Sequence, residues 1–478
     1  MEQTPVLPDA PVAPAVDSTP PSSKLTPGGW LKKNLFSNAV NSIVTFVVGA
    51  IALALAWFAL NWVINADFAI VRANLRIFMI GQFPREELWR PWASAYVLIL
   101  GAGLTTGAMA RNGYELAIAQ EVEAEKESWV QMLRRFWPVI LVMIFFVSFA
   151  RTLPPYIGLV AAFALIFVSR EIGWRLPAVV RSRSLYIGAV LFIISMLIIA
   201  GTSRLGGYAL GLVAFLWMMN ELSRVEKLPT GMTGTITRVV IALVVAAVVA
   251  IIQNLIPHDG FGWEDWGGLH ISLFTAVVGI ALGMPFGILL ALGRRSKLSV
   301  LKTASVIFIE FVRGVPLISL LLFSNLMLPL FLPIDFERPA DLTLAIVVIT
   351  GFSAAYIAEI VRGGLQAVPK GQTEAAQASG MSAASVQRLI VLPQALRAVI
   401  PAMVGQFISL FKDTSLLSII GILEFLRVSD TSNAQPDFVG RGLASVTYLF
   451  VAIGYWAFAY TMSKESRRLE DKLGVGYR

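Results

Sequence analysis

The sequence predicts an all-α polytopic membrane protein with about twelve transmembrane helices. Hydrophobic residues make up 56% of the 478 positions and charged residues only 14%, whereas a soluble domain holds roughly 45–50% and about 25%. A chain this apolar has too few polar side chains for a surface that faces water, so most of that surface is expected to lie in lipid. It has no cysteine and only two histidines, His258 and His270, which excludes disulfides and thiolate metal sites.

The amino-terminal half predicts a tail followed by an extension of membrane helices. Residues 1–29 are polar and proline-rich, which is typical of a disordered cytoplasmic tail or a polyproline II segment. Residues 30–260 hold about seven apolar segments of spanning length. They lie at residues 39–64, 92–110, 138–153, 155–169, 185–202, 206–220 and 236–255. The loop at 256–269, rich in glycine and tryptophan, predicts a domain boundary.

Residues 261–478 are predicted to form a second bundle of about five spans. They lie at residues 270–292, 300–330, 342–360, 395–411 and 443–462. Most of the 38 lysine and arginine residues fall in loops on the side of the amino terminus. Because cytoplasmic loops are enriched in these residues, both termini are expected in the cytoplasm. The first outer loop departs from this pattern with Arg72, Arg76, Arg85 and Arg90, and we expect a re-entrant or interfacial helix there.

The loop at residues 366–393 is too polar to lie in the membrane and too rich in helix formers for a loose linker. Thr373 is expected to cap a short helix that starts at Glu374, whose carboxylate favours a helix amino terminus. Gly380 permits the left-handed turn that ends such a helix. Ser382 is then expected to cap a second short helix.

Four segments of the sequence resemble a known family of transport proteins. The loop residues Glu374-Ala375-Ala376, Gly380 and Leu392-Pro393, where Pro393 is expected to close the unit, resemble the coupling loop of ATP-binding-cassette (ABC) importer permeases. Three further segments are similar to the polar amino acid permease family. They are Phe311-Val-Arg313-Gly-Val-Pro316, Ser353-Ala-Ala-Tyr356-Ile-Ala-Glu359 and Gly405-Gln-Phe-Ile-Ser409-Leu-Phe-Lys412-Asp413-Thr414. The last segment and the amino-terminal extension resemble the Aap/Bzt general L-amino acid transport systems.

This resemblance implies a type I ABC importer permease core of five spans, preceded by extra amino-terminal helices. It implies a permease subunit of an ATP-driven importer that moves amino acids from a periplasmic binding protein to the cytoplasm by alternating access. The implied location is the bacterial inner membrane. The implied partners are a cytoplasmic ABC ATPase dimer, a paralogous permease subunit, a periplasmic amino-acid-binding protein and membrane lipid.

The chain itself is expected to be non-catalytic and to bind no cofactor. No Gly-Lys dipeptide occurs in it, so it lacks the Gly-x-x-x-x-Gly-Lys loop that cradles nucleotide phosphates. ATP and Mg²⁺ are therefore expected on the partner ATPase. The net charge of +8 does not indicate nucleic acid, because the basic residues collect in predicted cytoplasmic loops. No metal site is expected.

A path for a zwitterionic amino acid needs an anion for the ammonium group and cations or donors for the carboxylate. Charges inside a helix bundle are costly and mark functional positions. The candidate residues of this substrate path are Glu310 and Arg313, then Ser353, Tyr356 and Glu359, then Ser409, Lys412, Asp413 and Thr414. Three structural alternatives stay open. They are mutual neutralisation in the first group, helix packing in the second, and a lysine–aspartate pair stabilising a helix break in the third.

Two other functions compete with the permease interpretation. A self-sufficient secondary amino acid transporter of about twelve spans would need internal repeats, and none is evident in the sequence. A membrane-embedded enzyme would need a cluster of histidine, aspartate or serine near one membrane face, which two histidines do not supply.

Overall fold

The computed structural model describes residues 26–119, 125–201, 265–333 and 338–473, with single positions between 207 and 217. Within these ranges the regular secondary structure is helical, apart from one isolated bridge between Gly268 and Glu424. The predicted all-α fold class is thereby confirmed. The predicted spans at 206–220 and 236–255 and nearly all of the proline-rich tail lie outside the described residues.

The helices are numbered in chain order. Those of the amino-terminal part are α1 (Pro27–Asn34), α2 (Ala39–Asn65), α3 (Ala69–Ile80), α4 (Trp89–Ala119), α5 (Trp129–Ser148), α6 (Pro154–Arg175), α7 (Ala178–Ser182) and α8 (Ser184–Gly201). Those of the carboxyl-terminal part are α9 (Gly268–Arg294), α10 (Ser299–Gly314), α11 (Leu317–Leu322), α12 (Asp341–Ala367), α13 (Lys370–Ala378), α14 (Ala383–Val386), α15 (Leu392–Asp413), α16 (Arg427–Asn433) and α17 (Ala444–Leu473).

Eight helical segments of the described chain are long and apolar enough to cross a membrane. A ninth span arises if the bent pair Ser299–Gly314 and Leu317–Phe331 crosses as one, although its halves meet at 105°. The bend falls at Pro316, because the residue before a proline avoids the helical region and Val315 is extended. The single span predicted at 300–330 is therefore broken. Each of the other predicted spans within the described ranges overlaps one helix, and the total of twelve stays a prediction.

Contacts divide the chain into two compact units, Met1–Asp67 and Phe68–Arg478. In the first unit, α2 is predominantly apolar and buries none of its residues, as expected of a helix surrounded by lipid. The second unit contains both the remaining helices of the extension and the carboxyl-terminal bundle. The predicted division at residue 260 stays a prediction.

Helix α3 occupies the first outer loop, where a re-entrant or interfacial helix was expected. Its apolar face is buried, with Ile70 and Phe78 fully enclosed. Asn74 on the same face exchanges two hydrogen bonds with the side-chain amide of Gln435, at 2.8 and 3.1 Å. The ring of Phe78 packs edge-on against Phe450 of α17. Helix α3 thus joins the extension to the carboxyl-terminal bundle.

The extension is also joined to α17 at a kink in α5. Pro138 lies inside α5 and has no N–H, so the carbonyl of Arg134 loses its helical donor. The ammonium group of Lys464 donates to this carbonyl at 2.9 Å and to that of Arg135 at 3.1 Å. The guanidinium of Arg135 in turn pairs with Glu465. Side chains of α17 thereby satisfy the backbone that the kink exposes.

Helices α9 and α12 pack closely along most of their length. Glycines of α9 recur every four residues opposite side chains of α12, pairing Gly279 with Ile349, Gly283 with Ser353 and Gly287 with Ile357. A Cβ atom on Gly287 would lie 2.7 Å from the Cβ of Ile357 and 2.8 Å from the carbonyl oxygen of Ala354. Such small-residue faces let helix backbones approach closely in a membrane.

We predict that Gly287→Ala destabilises the protein, because its methyl group would overlap the backbone of α12. Overpacking of this kind costs about 1–3 kcal/mol. Gly363→Ala is the matched control, since a Cβ there meets open space. Thermal unfolding in detergent should show a lower midpoint for Gly287→Ala alone; equal midpoints for both variants would contradict the packing described.

Candidate functional site

The polar loop between α12 and α15 folds into the two short helices α13 and α14. Pro369 sets their start, because Val368 precedes it and takes an extended conformation. Helix α13 therefore begins at Lys370, directly after Pro369. The predicted start at Glu374, capped by Thr373, is wrong, since the proline starts the helix one turn earlier.

The turn between the two short helices follows the prediction. Gly380 has φ +81°, the left-handed region that favours glycine. The hydroxyl of Ser382 accepts a hydrogen bond from the Ser385 N–H at 3.2 Å, which caps α14 as expected. Pro393 does not close the unit. It lies in the first turn of α15, where its missing N–H is not needed.

The loop presents one face outward and anchors itself with the other. Glu374 and Ala375 are exposed, whereas Ala376 is buried. Ala376 packs into one apolar cluster with Val386, and Leu392 lies against the same cluster. The side of α13 that carries Ala376 therefore packs on the bundle, and the polar face of the helix is left exposed.

Three arginines and two carboxylates meet between α9, α10 and α12, and we name them the arginine cluster. Arg362 donates to Glu359 through Nε at 2.9 Å. Arg294 and Arg313 each lie 3.6 Å from the Oε2 atom of Glu359. Arg294 also pairs with Glu310 at 2.8 Å. Glu310 and Arg313 thus each pair with a residue on another helix, rather than neutralising each other.

The second predicted group, Ser353, Tyr356 and Glu359, does not lie in one place. The Arg313 guanidinium lies over the ring of Tyr356, 5.5 Å from its centroid, so Tyr356 adjoins Glu359 in the arginine cluster. Ser353 instead is fully buried and faces Gly283 across the contact between α9 and α12. Ser353 therefore occupies a packing position, which is the structural alternative left open for this group, and its part in a substrate path stays a prediction.

The third predicted group lies where α15 changes to a 3-10 helix, from Thr414 onward. Ser409 and Lys412 are exposed, and the Ser409 hydroxyl hydrogen-bonds the side chain of Asp413. Thr414 is fully buried and donates its hydroxyl proton to the carbonyl of Phe411 at 2.7 Å. The described contacts therefore place this group at a helix break, apart from the arginine cluster.

Sequence reasoning missed a buried carboxyl group near this break. Glu424 is fully buried and accepts hydrogen bonds from the backbone N–H groups of Leu426 at 2.7 Å and Arg427 at 2.6 Å. The hydroxyl of Tyr455 donates to it at 3.1 Å. Burial raises the pKa of Glu424 to about 7. A lone acidic residue in the apolar run Ser418–Leu426 was the available signal.

Arg294 and Arg362 were also missed as members of the site. Each lies near the predicted inner end of a span, where arginine is expected simply as a cytoplasmic charge. Their contacts with Glu310 and Glu359 depend on how three helices pack. No spacing within one helix reveals such contacts between helices.

Similarity to known transport proteins extends over nearly the whole chain. Residues 283–463 match the family described as "Binding-protein-dependent transport system inner membrane component". The chain is 33% identical over 466 residues to the glutamate/glutamine/aspartate/asparagine transport system permease protein BztC of Rhodobacter capsulatus, covering 94% of each chain. That alignment includes the amino-terminal helices.

Two further similarities each cover less than half of the chain. The inner membrane amino-acid ABC transporter permease protein YhdY of Escherichia coli (strain K12) is 48% identical over 213 residues, which is 45% of this chain and 57% of that relative. The crystal structure of an amino acid ABC transporter with histidines is 30% identical over 43% of this chain and 92% of that chain. Its TM-score is 0.39.

We predict that Glu359→Gln destabilises the protein, since it removes the carboxylate that three arginines share. Loss of a charged partner at a half-buried position costs on the order of 1–3 kcal/mol. Asp341→Asn is the control, because its pair with Arg338 is exposed and such pairs contribute about 0–1 kcal/mol. Thermal unfolding should separate the two variants; equal shifts would show that the arginine cluster adds no more than a surface pair.

Proposed function

The chain belongs to the family of amino-acid ABC transporter permeases, and on that premise we propose that it forms the membrane path of an ATP-driven importer that delivers amino acids to the cytoplasm. Members of this family are permease subunits, the non-catalytic membrane components of such transporters. The full-length relative is named for glutamate, glutamine, aspartate and asparagine. Acidic amino acids and their amides are the proposed substrates here.

The observation that carries this proposal is the anchored, outward-facing loop of α13 and α14. Glu374 and Ala375 offer an exposed helix face to a partner, while Ala376 holds the helix in the apolar cluster. The same cluster contains Ala291 of α9 and Ala395 of α15. Because packed interiors transmit displacement rather than absorb it, a push on α13 would move the membrane helices.

The partner that would push is a cytoplasmic ABC ATPase dimer, which supplies the ATP and Mg²⁺ sites that this chain lacks. The distribution of lysine and arginine supports cytoplasmic termini, and this orientation puts α13 on the ATPase side. A paralogous permease subunit would complete the membrane pathway, and a periplasmic binding protein would deliver the amino acid. Closure of the ATPase pair then drives alternating access around a site between the two permeases.

The helix break at the end of α15 is the proposed contact with substrate. A departure from α-helix within a membrane bundle is tolerated where the backbone is buried in protein or lines a cavity, which supports a ligand site at this change from α to 3-10 helix. Asp413 would attract the ammonium group and exposed Lys412 the carboxylate, with Ser409 and Thr414 supplying hydroxyls.

The arginine cluster would attract acidic substrates to the same path. Its three arginines face two carboxylates, so one positive charge is in excess. Glu310, Arg313, Tyr356 and Glu359 are the predicted path residues within it. An excess positive charge in a region of low dielectric acts over longer distances than it does in water.

We predict that Glu374→Lys and Gly380→Pro each abolish association with the ATPase while the chain remains inserted in the membrane. The first reverses the charge on the exposed face of α13. The second forces φ to about −65° at a turn that needs φ +81°. Co-purification of the ATPase with the tagged permease measures the effect.

Gly371→Ala is the control for these two variants, because it lies in the same loop and a Cβ there meets open space. It should retain the ATPase as the unaltered chain does. If Glu374→Lys and Gly380→Pro also retain the ATPase, α13 is not the coupling helix.

A further inference from the structure

Glu424 lies beside the helix break, yet neither the proposed coupling loop nor the proposed substrate path uses it. The N–H groups of Leu426 and Arg427 bind one carboxyl oxygen each, Oε2 and Oε1 respectively. These two bonds at the start of α16 fix the plane of the carboxyl group. Its Oε2 atom also lies 3.1 Å from the Tyr455 hydroxyl and 3.4 Å from that of Ser272.

Tyr455 lies between Glu424 and the substrate path. Its hydroxyl oxygen is 3.1 Å from Glu424 and 3.4 Å from the Thr414 hydroxyl. Thr414 already donates its own proton to the Phe411 carbonyl. The side chain of Ser272 also hydrogen-bonds the Tyr455 hydroxyl. A tyrosine hydroxyl has one proton to donate, so Tyr455 cannot donate to Glu424 and to Thr414 at the same time.

We propose that Glu424 is a positioning residue for the Thr414 end of the substrate path, and that it acts through the direction of the Tyr455 O–H bond. As a carboxylate, Glu424 accepts the Tyr455 proton and leaves the Thr414 oxygen free to accept a hydrogen bond from substrate. As a carboxylic acid, Glu424 donates its proton to the Tyr455 oxygen, and Tyr455 donates to Thr414. The inference rests on the proposed function, since it takes Thr414 as a substrate contact.

The two forms of Glu424 interconvert by gain or loss of one proton, with no other bond broken. Burial raises the pKa of this carboxyl from 4.5 to about 7, against the opposing effect of the backbone and side-chain hydrogen bonds that favour the charged form. The acid form therefore predominates below pH 7 and the carboxylate above it. Substrate affinity should rise as pH rises through this value.

Tyr455 on α17 is the titratable side chain that hydrogen-bonds the Glu424 carboxyl. The ionisable groups on the other surrounding elements make contacts of their own. The ring of His270 packs edge-on against Trp266. The other three groups make hydrogen bonds: Asp430 with Tyr448, Arg76 with the Phe83 carbonyl, and Asp413 with Ser409. Arg427 meets Glu424 through its backbone N–H. The protonation state of Glu424 is therefore the one that sets the direction of the Tyr455 O–H bond.

The test measures KM for glutamine uptake by the assembled importer in proteoliposomes from about pH 5.5 to about pH 8, a range that brackets the titration of Glu424. The wild-type KM should fall about fivefold as pH rises, the worth of one hydrogen bond. Glu424→Gln should show the high KM at every pH, because its amide N–H donates to Tyr455 as the acid does. The maximal rate should change far less than KM.

Two tyrosine variants separate the relay from a general packing effect. Tyr455→Phe keeps the ring contacts with Phe411 and Phe425 but has no O–H, so its KM should be low and independent of pH. Tyr448→Phe, on the same helix, removes a hydrogen bond to Asp430 and should keep the wild-type profile. If Glu424→Gln fails to assemble, the KM of Tyr455→Phe tests the inference by itself. A KM that changes with pH at the wild-type midpoint, in either variant, overturns the inference.

Infrared difference spectra separate failure of this inference from failure of the proposed function. A carboxylic-acid C=O band that is present in wild type and absent from Glu424→Gln should disappear with a midpoint near pH 7. Absence of such a band overturns the relay even where ATP-driven uptake is found. Absence of uptake by the wild-type complex contradicts the proposed function, whatever the infrared titration shows.

Discussion

The close contact between α9 and α12 is the constraint on which the rest of the bundle depends. Lipid offers no hydrophobic gain for pairing two apolar helices, so close packing has to supply the attraction. Gly283 and Gly287 allow it by removing side chains from the contact face. The same approach brings Arg294 of α9 within reach of Glu359 on α12. The arginine cluster is thus a consequence of how tightly two helices pack.

Helix α9 also connects the proposed coupling loop with the helix break at the end of α15. Near its carboxyl terminus, Ala291 belongs to the apolar cluster that holds Ala376 of α13. At its amino terminus, the Gly268 N–H donates to the Leu423 carbonyl at 2.8 Å, and Ser272 lies beside Glu424. A displacement delivered at the loop therefore has a rigid route to the helix break. Small sliding of packed helices past one another is known as a shear motion.

Much of this architecture is predictable from the sequence because spans are long apolar runs with basic inner loops. Two of the predicted helix boundaries are wrong because of a proline nearby in the sequence. Pro316 breaks the span predicted at 300–330, and Pro369 starts α13 one turn earlier than Thr373 would. Both follow from the restriction on the residue before proline, which the apolar pattern hides.

Contacts between distant helices were beyond prediction from one sequence. The pairing of Asn74 with Gln435, and of Lys464 with the kinked backbone of α5, joins residues more than three hundred positions apart. The position of Ser353 between helices likewise depends on a glycine in α9. Periodicity identifies which face of a helix is apolar, but not which helix will pack against it.

The most direct test of the central claim is amino acid uptake into liposomes under two energy sources. The chain assembled with its ATPase, second permease and binding protein should accumulate glutamine only when ATP is supplied on the ATPase side. The chain alone, under a proton or sodium gradient, should accumulate none. Gradient-driven uptake by the chain alone would instead identify a self-sufficient secondary transporter and contradict the ATP-driven mechanism.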